Sequence, residues 1–574
     1  MILFLPVGNK SLVERWVNIN KMKGKSLMKR IIAVLLTLVL LSALVACGGG
    51  STPEASNAPG ASTAPSTSTA PGASTAPGTS TAPGASTAPG APAADTKYAE
   101  SIVILGEQPI GTIDTISPTA TGGVYRSLYS CVFDTLIAFA DGEYLPELAT
   151  SWETDGPLTY ILNLRDDVYF HNGEKFTAQS VIDTFMLSKE SVGSIAFDVW
   201  RTVDTVTAVD DYKVKIVQDV IDVDLIYNLT LPFASIVNKA AREADPIEGL
   251  WVGTGAFIVT DSVPGDYTVI TRNDDYWGGV VPTKQITYRW IPETAARTIM
   301  LVNGEATVSV DTAPEDLNMF VEDPNFTVIP FISNVTTSVG FNMNGPITGD
   351  PNFRKAVAHA LSAPEVAIVA SGDWAVPPTD GALWGYAMEF RNTDIPLIPF
   401  DLNLSKQYLD ASSYRGEEIE LASGNPDTNR GAELIQEQLG KAGINVKLYQ
   451  TDATTMRSYA VYGNDLVQMF LYINSFNHNA SSARNAFYPE RSSNRASYNN
   501  QTVAELLDRA PSIVDPGERG AAYRQVQEIV ADDLPYINLY FSTRTIVAAG
   551  GTGGIVLDLD LNHDFKNIFV ALDS

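Results

Sequence analysis

The stretch Glu418–Gln450, EIELASGNPDTNRGAELIQEQLGKAGINVKLYQ, carries the decisive pattern. Glu418–Ser423 alternates as a strand, and Thr428 can cap a helix whose apolar face is Ala432, Ile435 and Leu439. Gly440 and Gly443 then end the helix before a second strand, Ile444–Gln450. Strand, helix and strand at this spacing predict a parallel βαβ unit. Working outward, Thr177 precedes a helix that places Val181, Ile182, Phe185 and Met186 on one side. Val206–Val209 and Lys213–Val217 flank the turn Asp210-Asp211-Tyr212 as a hairpin. Strands and helices alternate throughout, so the expected fold class is α/β.

The 574 residues, 45% of them hydrophobic, predict two or three domains. The formal charge of -28 becomes -34 once the seven basic residues and one acid of positions 1–46 are removed. Such a surface repels phosphate backbones, which argues against a nucleic-acid partner. Two cysteines, Cys47 and Cys131, sit in unlike contexts and make no disulfide framework. Four scattered histidines, His171, His359, His478 and His563, offer no close pair of the kind zinc sites use. Neither a metal nor a cofactor is expected. The Gly-rich run Ala548–Val556 lacks the lysine and spacing of a phosphate loop, and no catalytic constellation is evident.

At the N-terminus, Lys29-Arg30 precede the apolar run Ile31–Ala46, broken only by Thr37 and Ser42. That run is too short to span a hydrocarbon core of ~30 Å comfortably and has the length of a signal-peptide core. It ends Leu44-Val45-Ala46-Cys47-Gly48, which resembles the bacterial lipobox. The resemblance implies cleavage before Cys47 and lipidation of its thiol with diacylglycerol and a fatty acyl chain such as palmitate. Each buried methylene adds about 0.8 kcal/mol, so two or more chains anchor the protein durably and form its sole membrane contact. Residues 1–46 are thus the expected signal peptide, with translation starting at Met22 or Met28 and 1–21 untranslated. Residues 47–96 repeat Ser-Thr-Ala-Pro-Gly units that cannot build a core. As a tether they reach roughly 40 Å, which suits the outer face of the cytoplasmic membrane at a Gram-positive surface.

Four blocks resemble the family 5 extracytoplasmic solute-binding proteins, the dipeptide, oligopeptide and nickel binding group. They are Gly142–Phe185 (GEYLPELATSWETDGPLTYILNLRDDVYFHNGEKFTAQSVIDTF), Val252–Gly279 (VGTGAFIVTDSVPGDYTVITRNDDYWGG), Ser338–Leu361 with its FRKAVAHAL helix, and Leu534–Phe541 (LPYINLYF). The resemblance implies a two-lobed periplasmic-binding-protein type II (Venus flytrap) fold with an extra subdomain inserted in lobe I. On this basis lobe I comprises 98–145, 249–338 and 538–574, the inserted subdomain 146–248, and lobe II 339–537. It implies a monomer that closes on a small, peptide-like solute and delivers it to ABC permease subunits. An uncharged oligosaccharide or other polar metabolite, or a sensor on the same fold, is the alternative. By the same resemblance Gly253, Gly255 and Gly265 serve turns, while Trp152, Tyr276 and Trp277 pack.

In peptide-binding relatives, an aspartate of an Asp-Tyr pair after a lobe II strand holds the ligand's ammonium group. The matching stretch is Leu471–Pro489, LYINSFNHNASSARNAFYP, where the pair falls on Ser475-Phe476. No Asp or Glu occurs between Asp465 and Glu490. Tyr472, Asn474, Ser475, Asn477 and His478 would offer neutral donors and acceptors in its place. The resemblance adds Thr121 and Tyr125 from a loop near the ligand, and Trp374, Trp384 and Tyr386 as cleft aromatics.

Overall fold

The computed structural model describes residues 97–572, apart from 108–112, 119, 121–123, 141, 311, 313, 425, 461, 464–466 and 559–562. The expected signal peptide, Cys47 and the tether therefore lie outside the described residues. No helix among the described residues is long and apolar enough to cross a membrane.

The βαβ unit forms where the sequence places it. Ile419–Ser423 and Val446–Gln450 pair in parallel, with Leu421 opposite Leu448. The connecting helix runs Pro426–Lys441. It opens two residues before Thr428, because proline's fixed φ suits a first helical position, and it runs through Gly440. Gly443, at φ +89°, makes the turn that follows. Ala432, Ile435 and Leu439 are fully buried, as their spacing requires.

That unit sits at one end of an 11-stranded mixed sheet. At its centre two long strands, Phe326–Phe341 and Tyr536–Ala549, run antiparallel. Their pairing splits into two segments. Residues 326–332 pair with 543–549, the register shifts between Ile332 and Thr336, and pairing resumes from Thr336 opposite Phe541. The two segments serve different cores. Phe331, Ile546 and Ala548 pack with Ile102, Ile104 and Ile286, whereas Val339, Phe341, Ile537 and Leu539 pack with Leu421, Ile435 and Leu471. Two hydrophobic bodies are thus threaded by one pair of strands, the α/β arrangement of a two-lobed protein.

A second, four-stranded antiparallel sheet lies outside this path, in the order Ala149–Thr154, Thr159–Leu164, Lys213–Gln218, Val203–Asp210. Its last two strands are the expected hairpin. The helix Ala178–Glu190 begins after Thr177, whose N–H donates to Ser180 Oγ at 3.2 Å. Val181 and Phe185 are buried and Ile182 packs on the same core, but Met186 is 47% exposed. At 100° per residue Met186 lies 140° round from Val181, so it turns to solvent.

One buried charge cluster fixes the first lobe internally. Lys566 Nζ lies 3.3 Å from Asp134 Oδ1 and 3.4 Å from Glu147 Oε1. Asp134 Oδ2 also accepts from the Thr254 hydroxyl and Trp277 Nε1, both at 2.9 Å, and Tyr276 OH donates to Oδ1 at 3.2 Å. Tyr276 and Trp277 pack as expected, and Trp152 lies against the same core. Gly265 does serve a turn, at φ +84°. Gly253 and Gly255 have another reason: a Cβ at either would fall 2.1 Å from Val132 O or 2.5 Å from Val132 C, so close backbone approach demands glycine.

Candidate functional site

A cleft of about 580 Å³ opens between the segment Ile195–Leu231 and the segment Ser475–Ser512. The first wall grows out of the four-stranded sheet. After Lys213–Gln218 the chain turns, and Asp222 Oδ1 accepts the N–H of Asp224 at 3.1 Å, an Asx turn that leads into the short helix Leu225–Asn228. The Thr202 hydroxyl donates to Asp222 Oδ2 at 3.3 Å, and Gln218 Nε2 donates to Asp222 O at 3.0 Å. Both oxygens of Asp222 are therefore satisfied.

Asp224 is different. It is 8% exposed, lines the cleft, and its Oδ2 has no hydrogen-bond donor. Burial, reinforced by the charge of Asp222, pushes its carboxyl up to about 7, and the Ser481 hydroxyl pulls the other way. Burial also raises Asp222, opposed by the Asp224 N–H and by Arg201.

The second wall follows the strand Met469–Ser475, which is held by Phe326–Phe341 through pairs such as Asn474 opposite Thr336. Ser475, its last residue, is exposed on the cleft. The chain then folds tightly: Asn477 N–H donates to Ser482 Oγ at 3.1 Å, and Asn479 Nδ2 donates to Ser481 Oγ at 2.8 Å. Arg484 donates to Asp508 Oδ1 at 2.6 Å and to Leu507 O at 3.1 Å, with its guanidinium 3.9 Å from the Tyr488 ring centroid. The walls meet at the floor, where Val223 N–H donates to Pro511 O and Ser512 Oγ to Ile221 O, each at 3.0 Å.

The structure brings together some of the sequence-predicted residues and separates others. Ser475 and Asn477 line the cleft. Tyr472 packs against the second lobe's core beneath the Arg495 guanidinium, Asn474 is buried, and Phe476 is a core residue whose N–H donates to Asn334 O at 3.3 Å. His478 bridges the two bodies: its ring centroid lies 5.1 Å from Phe139 and 6.1 Å from Tyr227, and Nδ1 is 3.1 Å from Ala387 O. Trp384, 1% exposed, stacks parallel to Phe487 inside the core, with Nε1 donating to Glu389 O. Trp374 packs against a satellite core around Leu317 and Phe320. Tyr386 is 44% exposed and edge-on to Phe541. Thr121 lies outside the described residues, as does the side chain of Tyr125, whose backbone lies in the first turn of the helix Val124–Val132. Sequence reasoning missed the acidic wall. Its one local signal is the run of acids at alternate positions, Asp222-Val223-Asp224, just after a strand.

A model of the bacterial extracellular solute-binding proteins, family 5, matches residues 143–495. Di/tripeptide-binding protein 2 of Pseudomonas aeruginosa is 24% identical over 453 residues, covering 71% of this chain and 83% of that protein. Among solved structures, the ABC transporter substrate-binding protein CtaP of Listeria monocytogenes superposes with a TM-score of 0.76 at 20% identity, over 83% of this chain and all of that one. The periplasmic binding protein DppA of Helicobacter pylori, in complex with the peptide STSA, gives 0.71 at 20% identity over 83% of this chain and 99% of that one.

Proposed function

Since the chain belongs to the family 5 bacterial extracellular solute-binding proteins, which bind and do not catalyse, we propose that it is a lipid-anchored receptor that captures a peptide or peptide-like solute at the outer face of the cytoplasmic membrane. It hands that solute to the permease of an ABC importer. The observation that carries this reading is the cleft itself, whose walls come from segments more than 240 residues apart and whose lining mixes carboxylates, amides and hydroxyls. A peptide backbone presents donors and acceptors that such a lining can match. Support also comes from the relative named for di- and tripeptides and from the DppA structure holding STSA.

In this reading the paired strands Phe326–Phe341 and Tyr536–Ala549 are the hinge, with the register shift at Ile332–Thr336 the place where they bend. Closure is favoured only as far as the solute contacts both walls better in the closed state. Lobe I (98–145, 249–338, 538–574), the inserted subdomain (146–248) and lobe II (339–537) then move as bodies, as a monomer.

A thermal-shift screen of the full chain against tri-alanine, maltotriose and nickel-histidine tests the solute class. A peptide at a hundredfold excess over its Kd should stabilise by about 2.7 kcal/mol. A shift with maltotriose and none with tri-alanine would end the peptide assignment. For the anchor, Cys47→Ala should move the chain from the membrane fraction to the medium; retention at the membrane would refute lipidation.

A further inference from the structure

Open buried acceptors stand on both walls of the cleft. Asp224 Oδ2 on one wall and Asn479 Oδ1 on the other are both buried, both acceptors, and both without a donor. The residues that carry them are 8% and 6% exposed, so bulk water does not solvate them freely. Buried acceptors left open cost free energy unless something brings them protons. Of the cations nearby, Arg519 and Arg484 are held by other acids, and Arg201 and Arg491, which also line the cleft, make no salt bridge with Asp224 among the described residues. Arg519 faces Glu389 at 3.7 Å and donates to Ile513 O, and Arg484 is held by Asp508. The unpartnered donor on this lining, Arg484 Nε, belongs to that occupied guanidinium. An inorganic cation fits poorly: a hard ion asks for six or more oxygens, Asp222 has given both of its oxygens to the chain, and no metal-holding cluster of three or more His, Cys, Asp or Glu occurs among the described residues.

We infer that Asp224, backed by Asp222 and faced by Asn479, receives a primary ammonium group of the bound solute. The carboxylate absent at Ser475 on the second wall is thus replaced by one presented from the inserted segment on the first. An ammonium group brings three donors to two open acceptors and neutralises the excess negative charge of the acid pair. This rests on the reading that the cleft holds a peptide-like solute.

Titration calorimetry of the full chain at pH 7.5 with tri-alanine and with N-acetyl-tri-alanine tests it. Acetylation removes the ammonium and keeps the rest of the peptide, so the wild type should bind the acetylated form at least ~10-fold more weakly. Asp224→Asn, which preserves shape, should erase that preference, and Asn479→Ala should independently weaken tri-alanine several-fold. Equal binding of the two peptides by the wild type, or a preference that survives Asp224→Asn, would overturn the ammonium assignment and leave the peptide reading intact. Binding of calcium chloride that Asp224→Asn abolishes, with no preference between the peptides, would overturn it in favour of an inorganic cation. Failure of both peptides to bind would overturn the peptide reading and this inference together.

Discussion

Two buried pairs of acids sit in this molecule, and the protein treats them in opposite ways. Asp134 and Glu147 share Lys566, and Asp134 gains further donors from Thr254, Tyr276 and Trp277. Asp222 and Asp224 lie at the edge of a cleft and make no salt bridge among the described residues, where one oxygen of Asp224 also has no donor. Burying charge is costly, and evolution keeps it where a partner offsets the cost. The first pair has its partner in the chain and works as scaffold. The second pair is left for a partner from outside.

The contrast can be broken most severely at Lys566. Attraction to Asp134 and Glu147 outweighs the effect of burial and holds its ammonium well above the usual lysine range. Lys566→Met would strand two buried acids and should lower stability by about 3–5 kcal/mol. Urea unfolding at neutral pH reads this directly, and a loss under ~1 kcal/mol would mean that the cluster is not holding the first lobe together.

An effect of opposite sign is expected at the cleft. The Asp224 carboxyl rises from an ordinary 3.8 to about 7 in the fold, so between those values the folded chain binds a proton that the unfolded chain has released. Stability from this group is therefore present at low pH and is lost as pH climbs from about 4 to about 7, by at most ~1.4 kcal/mol per pH unit. Asp224→Asn removes that dependence. In the absence of solute, the variant should match the wild type near pH 4 and exceed it by up to about 4 kcal/mol at pH 8. A variant less stable than the wild type at pH 8 would show that groups within the chain, beyond the Ser481 hydroxyl, already stabilise the ionised Asp224.

Much of the scaffold was legible because burial imposes a period. Ala432, Ile435 and Leu439 fall on one face at helical spacing and are buried, and the hairpin around Asp210–Tyr212 follows from turn residues between alternating strands. Errors arose where a residue satisfied a local rule that another position satisfied better, as when Pro426 opened the helix in place of Thr428. The cleft was half legible. Ser475 and Asn477, put forward by the resemblance to peptide-binding relatives, line it. Trp384 could not be sorted from the core, since an aromatic suits either place and nothing local distinguishes them. Asp222 and Asp224 were invisible for a stronger reason. Their meaning depends on Ser475 to Asn485 lying across from them, a juxtaposition made by chain topology over some 250 residues and by no local pattern.

A solute held between both walls at once should protect both, and amide hydrogen exchange of the full chain with and without saturating tri-alanine tests that most directly. Slowed exchange at 221–228 and at 475–485 together is the predicted result. Protection confined to one wall, or absent from both while the peptide is bound, would contradict it.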